Sequence, residues 1–456
     1  MASEFTDREP RTLLVALDAV PFRVVNEAAG RGAFAGWVPP SAVVAPFPTV
    51  THVAFASLFL PFGVPPSPGY ELRHFDTAAN TTVGGGLRTY AREVPPWFEF
   101  FDLPHRSLAS ELSNYVSPRS AARHAVDQIE REVLASPREV FMAYVGATDG
   151  LMHIYGDAHM VEFLVELDTR LVILRERHRQ ERGRPLRIVL FSDHGCGSAK
   201  IHHAEGLDHL LRDAGLNVVE QLEAPRDVVS PKFGLVNFGA LFLRDADRAE
   251  TAASAIARHE AVELAAFSPE PNLVEVVSRS GRSHVRWDGP AGATRYAYED
   301  LGGDPLRLST AIGRLDAEGL LDVSGYAGDD NWLRETAFGY YPDPLRRLRQ
   351  ALTGDRIQSR ASVLFSLGPS WAGGWHSAVV GAWVRGGRLA GTHGGLDRES
   401  SLGFLLVDDP TFAAPHAVRA DSALARVADV TSRETASPTT ESVRSGGRAV
   451  EARRLR

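Results

Sequence analysis

Short apolar runs alternate along this chain with longer segments in which apolar residues recur every three or four positions. That rhythm predicts an α/β fold with a largely parallel sheet. The runs 12–17, 140–145, 188–191 and 240–243 read as buried strands. Between them, Ser117 stands as the cap of a helix with Pro118 at its first position, and Ala122, Val126, Ile129 and Val133 keep one apolar face. A second helix is predicted after Gly156, carrying Met160, Leu164, Leu167, Leu171 and Leu174 and ending before Gly183 and Pro185.

The stretch 269–360 departs from this rhythm. It holds GPAGATRYAYEDLGGDPL, a predicted helix near 306–318, the turn-rich SGYAGDDNW and another helix after YYPDP. It reads as an inserted α+β lobe, a cap or lid, dividing a core of 1–268 from its second part, 361–427. That second part opens with VLFSL and includes an expected hairpin over 378–390, turning at Gly386 and Gly387. From 428 to 456 the composition shifts to Ser, Thr, Arg, Glu and Gly, which predicts a disordered tail. There is no internal repeat.

Composition narrows the class. With 456 residues, 44% of them hydrophobic, the chain can bury one large core or a few smaller ones. The net charge of -8 and the lack of a Lys/Arg-rich block remove the footprint of a nucleic-acid binder. Cys196 is the single cysteine, so no intrachain disulfide is expected and nothing argues for an oxidising compartment. MASEFTDREPRTLLVALDAV lacks a basic start, and its apolar run is broken by Asp18, so it does not read as a signal peptide. No apolar stretch approaches the ~20 residues that span a bilayer. A soluble cytoplasmic protein with no membrane partner is the expectation.

Candidate chemistry gathers at the ends of the apolar runs. Asp18 closes LLVALD, Asp149 and His153 lie in YVGATDGLMHIYG, Asp193 and His194 close IVLFSDH, His393 lies in AGTHGG, and Thr51 lies in PFPTVTH. Asp149 and His153 are four apart, so a helical turn puts both on one face. A sharp turn at Gly195 aims Asp193 and His194 into the crevice outside the strand ends. Thr51 precedes HVAFASLF, a segment of helical character, and so is expected at a helix N-terminus, where a phosphate is favoured. Three Asp and three His are a balanced oxygen and nitrogen set for two divalent metal ions, with zinc preferred and manganese its main competitor.

In order, LDAV, PTVT, TDGLMH, SDHG and GTHG resemble the alkaline phosphatase superfamily, most closely its type I phosphodiesterase and nucleotide pyrophosphatase branch. The resemblance covers roughly residues 10–200 and 376–407. It implies an alkaline-phosphatase-like sandwich with a central, largely parallel sheet flanked by helices. It also implies that Thr51, not Thr49, is the nucleophile and passes through a phospho-threonine intermediate. One ion would be held by Asp18, Asp193 and His194, the other by Asp149, His153 and His393. The implied partner is a small-molecule phosphoester, either a phosphodiester or a nucleotide-type pyrophosphate. A phosphomonoester or phosphonate hydrolase, and a phosphotransferase or mutase, are the alternatives on the same scaffold. Sulfatases of the superfamily use a modified Cys or Ser, against which Thr51 argues.

Two departures bear on substrate. Family members often read T-F-P-N where this chain has Thr51-His52-Val53-Ala54. They also place an Asn about twenty residues beyond the nucleophile, where this chain reads GYELRHFD. Arg73 is the candidate for that phosphoryl contact, with Asn80 a weaker one; an Arg suits a dianionic monoester at least as well as a diester. The remaining candidates have plain readings. Cys196 is expected to be a buried, inert thiol. His202 and His203 read as a surface loop or phosphate contacts, and Trp371, Trp375 and His376 as packing. Asp329 and Asp330 lack the alternating oxygen ligands of a calcium loop.

Overall fold

The computed structural model describes residues 9–85, 94–103, 108–373 and 389–433. Its frame is a six-stranded sheet in the order Ala417–Arg419, Ser41–Val44, Leu402–Val407, Leu186–Phe191, Arg11–Leu17, Val140–Val145. Three of its five pairings are parallel, and Leu402–Val407 runs antiparallel to both neighbours. Arg11–Leu17 is buried along its whole length because both faces are covered. Leu13, Val15 and Leu17 pack into one core, while Leu14 and Ala16 pack into another with Phe55, Phe59 and Trp97.

The flanking helices follow their sequence signals. Pro118–Ala135 buries Ala122, Val126, Ile129 and Val133, although the Ser117 side chain makes no capping hydrogen bond. Asp157–Arg182 buries Met160, Leu164, Leu167, Leu171 and Leu174 against the same core and stops at Gly183, which takes the left-handed conformation at φ 64°.

A second, nine-stranded sheet has the order Tyr326–Gly328, Arg295–Asp300, Arg282–Asp288, Leu273–Val277, Val262–Glu270, Val363–Leu367, Phe238–Leu243, Asp227–Val229, Asn217–Val218. It draws strands from beyond both ends of 269–360. Phe238–Leu243 and Val363–Leu367, which the rhythm of the sequence assigned to the core, pair with each other inside it. The reason is that a strand buried on both faces reads the same in either sheet. The helix Ala249–Ile256 covers one face, and Asp329–Thr336 and Pro344–Thr353 cover the other, where the buried Trp332 donates its indole N–H to the Tyr296 carbonyl at 2.9 Å.

Among the described residues no helix is long and apolar enough to cross a membrane. Most of the expected hairpin over 378–390 lies outside the described residues. The tail begins as the end of the helix Ala420–Arg433, and positions beyond 433 lie outside the described residues.

Candidate metal centre

Three adjacent parallel strands carry five of the six expected ligands at their C-terminal ends. Asp18 follows Arg11–Leu17, Asp193 and His194 follow Leu186–Phe191, and the helix Ala147–Tyr155, which follows Val140–Val145, bears Asp149 and His153. This is the crevice where open α/β sheets place their ligands. Thr51 is the first residue of the helix Thr51–Leu58, after an extended Val50. His393 arrives from the far end of the chain, with its carbonyl accepting from Asn237 N–H at 2.8 Å. Gly150 allows a close approach on the other side: a Cβ there would lie 1.9 Å from the Asn114 carbonyl oxygen. That contact seats the helix Leu108–Val116 against Ala147–Tyr155 and brings the Tyr115 hydroxyl to Asp149 Oδ2, at 2.8 Å.

The six residues assemble into two buried triads. Asp18, Asp193 and His194 form one, and Asp149, His153 and His393 the other; within each, the ligand atoms all lie within 4.8 Å of one another. Asp149 Oδ1 is 3.2 Å from His153 Nε2 and 3.3 Å from His393 Nε2. His194 Nε2 is 3.3 Å from Asp193 Oδ2 and 3.8 Å from Asp18 Oδ1. The Thr51 hydroxyl lies 3.4 Å from Asp18 Oδ1 and 3.4 Å from His194 Nε2. The rings of His194 and His393 stack at 4.2 Å, which sets the triads side by side.

The surrounding hydrogen bonds turn these atoms toward cations. Each imidazole donates Nδ1–H to a backbone carbonyl: His153 to Gly391 at 2.9 Å, His194 to Gly195 at 2.8 Å and His393 to Thr49 at 3.0 Å. A carbonyl only accepts, so the Nε2 lone pairs are left facing inward. Each carboxylate has one oxygen held from the flank, Asp18 Oδ2 by Tyr144, Asp149 Oδ2 by Tyr115 and Asp193 Oδ1 by Ala19 N–H, and Asp18 Oδ1 accepts from the Thr51 hydroxyl. Asp149 Oδ1 and Asp193 Oδ2 are buried without a hydrogen-bond donor, which is costly unless a cation faces them. The donor set therefore fits divalent metal ions of the zinc or manganese type.

The electrostatics of the triads differ. Burial, then the charges of Asp193 and Asp149, hold the Asp18 carboxyl well above the usual range, and burial pushes Asp193 up to about 8. For Asp149, burial acts upward but is outweighed by His153 and His393, which hold it well below the usual range. His153 is raised because Asp149 outweighs its burial, whereas burial and then His393 hold His194 well below the ordinary imidazole value.

Sequence reasoning missed the two tyrosines. Tyr144 lies on the strand face that packs with Phe55 and Trp97, so its hydroxyl was the only hint of a polar task. Arg73 stands at the bend before His74–Asp76 with its stem packed over Gly85, where a Cβ would meet it at 2.7 Å. Glu71, in the same segment, is coupled by charge to Asp149 and was also missed. Asn80 is a structural clasp: its amide donates to the Leu222 carbonyl at 3.3 Å and accepts from the Leu222 N–H at 2.9 Å. Cys196 is buried, and burial drives its thiol well above the ordinary range. His202–His203 pairs as a short strand with Trp371–Ala372, Asp329 is bound by Arg346 and Arg419, and Trp375 and His376 lie outside the described residues.

The sequence matches the type I phosphodiesterase / nucleotide pyrophosphatase family over residues 22–290, a span that includes Thr51, Asp149, His153, Asp193 and His194. No curated protein sequence matches the chain. Among solved structures, human ectonucleotide pyrophosphatase / phosphodiesterase 5 aligns with 92% of this chain and 95% of its own, at 12% identity and a TM-score of 0.48. The murine protein aligns over 92% and 95%, at 11% identity and a TM-score of 0.46. An inactive form of the murine protein in complex with AMP covers 93% and 95%, at 12% identity and a TM-score of 0.46.

Proposed function

The chain belongs to the type I phosphodiesterase / nucleotide pyrophosphatase family of the alkaline phosphatase superfamily, and from that premise we propose that it hydrolyses a phosphodiester or nucleotide-type pyrophosphate through a phospho-threonine at Thr51. The observation that carries this reading is the position of the Thr51 hydroxyl, 3.4 Å from both Asp18 Oδ1 and His194 Nε2 at the start of a helix. Two bound divalent cations, zinc or manganese, would supply Lewis acidity toward phosphoryl oxygens and toward the nucleophile.

The chain's own residues do the rest. Asp18 Oδ1 accepts the hydrogen bond of the Thr51 hydroxyl and orients its lone pairs, while Tyr144 holds the other Asp18 oxygen. The N-terminal end of Thr51–Leu58 presents the positive end of its dipole to the incoming phosphoryl group. Thr51 Oγ, its proton passing to solvent, then forms the new bond to phosphorus as the bond to the leaving oxygen breaks in line, with the leaving oxygen taking a proton from solvent. In the second half, water attacks the phospho-threonine, the Oγ–P bond breaks, and Thr51 regains its proton.

Replacing Thr51 by Ala is the test. Turnover of a chromogenic phosphodiester should fall by about 10⁴-fold or more, with the metal content of the purified protein unchanged. A Thr51→Ala protein that keeps full turnover rejects the mechanism. Product formed in heavy-oxygen water should carry one solvent oxygen; a phosphotransferase or mutase would leave it out.

A further inference from the structure

Thr49 stands two residues before Thr51 and is completely buried. Every polar group it owns is spent on the loop that carries His393. Its N–H donates to the Gly394 carbonyl at 3.1 Å, and its carbonyl accepts His393 Nδ1–H at 3.0 Å. Its hydroxyl donates to the Gly395 carbonyl at 3.0 Å and accepts the Gly394 N–H at 2.9 Å. Gly395 permits so close a grip, because a Cβ there would lie 2.6 Å from Asp397 Oδ2 and 2.8 Å from Asn237 Nδ2. Asn237 holds the same loop from the nine-stranded sheet, its N–H on the His393 carbonyl and its Oδ1 accepting the Gly395 N–H.

A buried loop needs partners for its backbone groups, but it does not need them all from one residue. What is particular is where that residue stands. The Thr51 hydroxyl faces Asp18 and His194 of one triad, each at 3.4 Å, while His393 Nε2 faces Asp149 of the other at 3.3 Å. Only Val50 separates Thr49 from Thr51, so the grip ties the backbone of the nucleophile to a candidate ligand of the opposite triad. We propose that Thr49 is a positioning residue for the phosphoryl transfer. Its hydroxyl sets the register between residues 49–51 and His393–Gly395, and so fixes where Thr51 stands relative to the ion of the second triad. It acts through His393 and Thr51, not by contact with the reacting atoms. The inference rests on the reading that the two triads bind cations beside a Thr51 nucleophile.

Thr49→Val keeps the branched shape and removes the hydroxyl, whereas Thr49→Ser keeps the hydroxyl. Calorimetric titration of the metal-stripped full chain with zinc should show two binding steps, and His393→Ala identifies the step of the second triad by weakening it. In Thr49→Val that step should weaken by about 10–100-fold while the other holds. With both ions saturating, kcat for a chromogenic phosphodiester should fall by about 10²-fold with little change in KM. Thr49→Ser should return the binding step and kcat to within about threefold of the unaltered chain. A hydroxyl that served stability alone would leave both readouts unmoved in the folded variant. An unchanged second step, an unchanged kcat, equal weakening of both steps, or no rescue by Thr49→Ser overturns the proposal. If Thr49→Val does not fold, Thr49→Ala is read by the same criteria; failure of both to fold also overturns the proposal, because the hydroxyl then serves the fold. An unaltered chain that takes up no zinc rejects the metal centre and the proposal with it. Full turnover by Thr51→Ala rejects the nucleophile but leaves the zinc steps readable, so the failures are distinct.

Discussion

The Asp18, Asp193, His194 triad and the Asp149, His153, His393 triad draw on the same residue types, yet they solve the problem of buried charge in different ways. In the first, two carboxylates share one imidazole; burial holds both carboxyls upward, helped by the charges of Asp193 and Asp149 on Asp18 and of Asp149 on Asp193, and Asp193 Oδ2 has no donor. In the second, one carboxylate lies between two imidazoles and is held well below its ordinary range by them. The acid-rich triad, the one that touches Thr51, would need a cation to balance its charge. The other is already largely balanced from within. The proposed nucleophile thus sits where the fold is electrostatically least content, a cost that binding a cation would offset.

Three paired substitutions break or sharpen this contrast. The largest effect is expected from His194→Ala and His393→Ala, each removing one inward-facing Nε2. Either should lower kcat/KM by on the order of 10³-fold or more, and elemental analysis should show about one ion lost per chain in each case. Loss of both ions from either variant would mean that the triads are not separable.

Tyr144→Phe and Tyr115→Phe come next. Each removes a hydroxyl that orients one carboxylate, so metal affinity should fall by about 10–100-fold at one triad only. Titration with a chromophoric chelator resolves the two sites, and equal weakening of both by one variant would contradict the assignment. The smallest effect is also the most discriminating. In metal-free protein, Asp193→Asn should stabilise the fold by on the order of 1 kcal/mol, because its amide can donate to His194 Nε2 where the carboxylate oxygen had no donor. Asp149→Asn should destabilise it by about 1–3 kcal/mol, because His153, whose protonated form Asp149 favours, loses its counter-charge. Calorimetric melting in chelator checks the signs, and shifts in the same direction would remove the contrast.

The parts legible in the sequence were those set by local chemistry. Pro118 and Gly183 mark helix ends because each restricts or frees the backbone at its own position, and the helices Pro118–Ala135 and Asp157–Arg182 begin and end there. Strand-end aspartates and the four-residue spacing of Asp149 and His153 pointed to the candidate ligands, and the structure brings all six candidates together beside Thr51.

What escaped is non-local. Leu402–Val407 and Ser41–Val44 complete the main sheet, but nothing in their own residues says which neighbours they take or that one inserts antiparallel. His393 is held by the Thr49 carbonyl and by Asn237, contacts that only folding creates. Tyr144, Tyr115 and Glu71 act from an apolar face, a helix and a loop, where sequence offers no periodic signal.

The central claim is that Thr51 carries the phosphoryl group between the two triads. Rapid acid quench during turnover of a chromogenic phosphodiester, followed by peptide mass spectrometry, tests it most directly. The account predicts a phosphoryl ester on the peptide containing Thr51, growing in when a slow-hydrolysing substrate is used and absent from Thr51→Ala. Turnover without any adduct on that peptide, or an adduct on another residue that survives in Thr51→Ala, would contradict it.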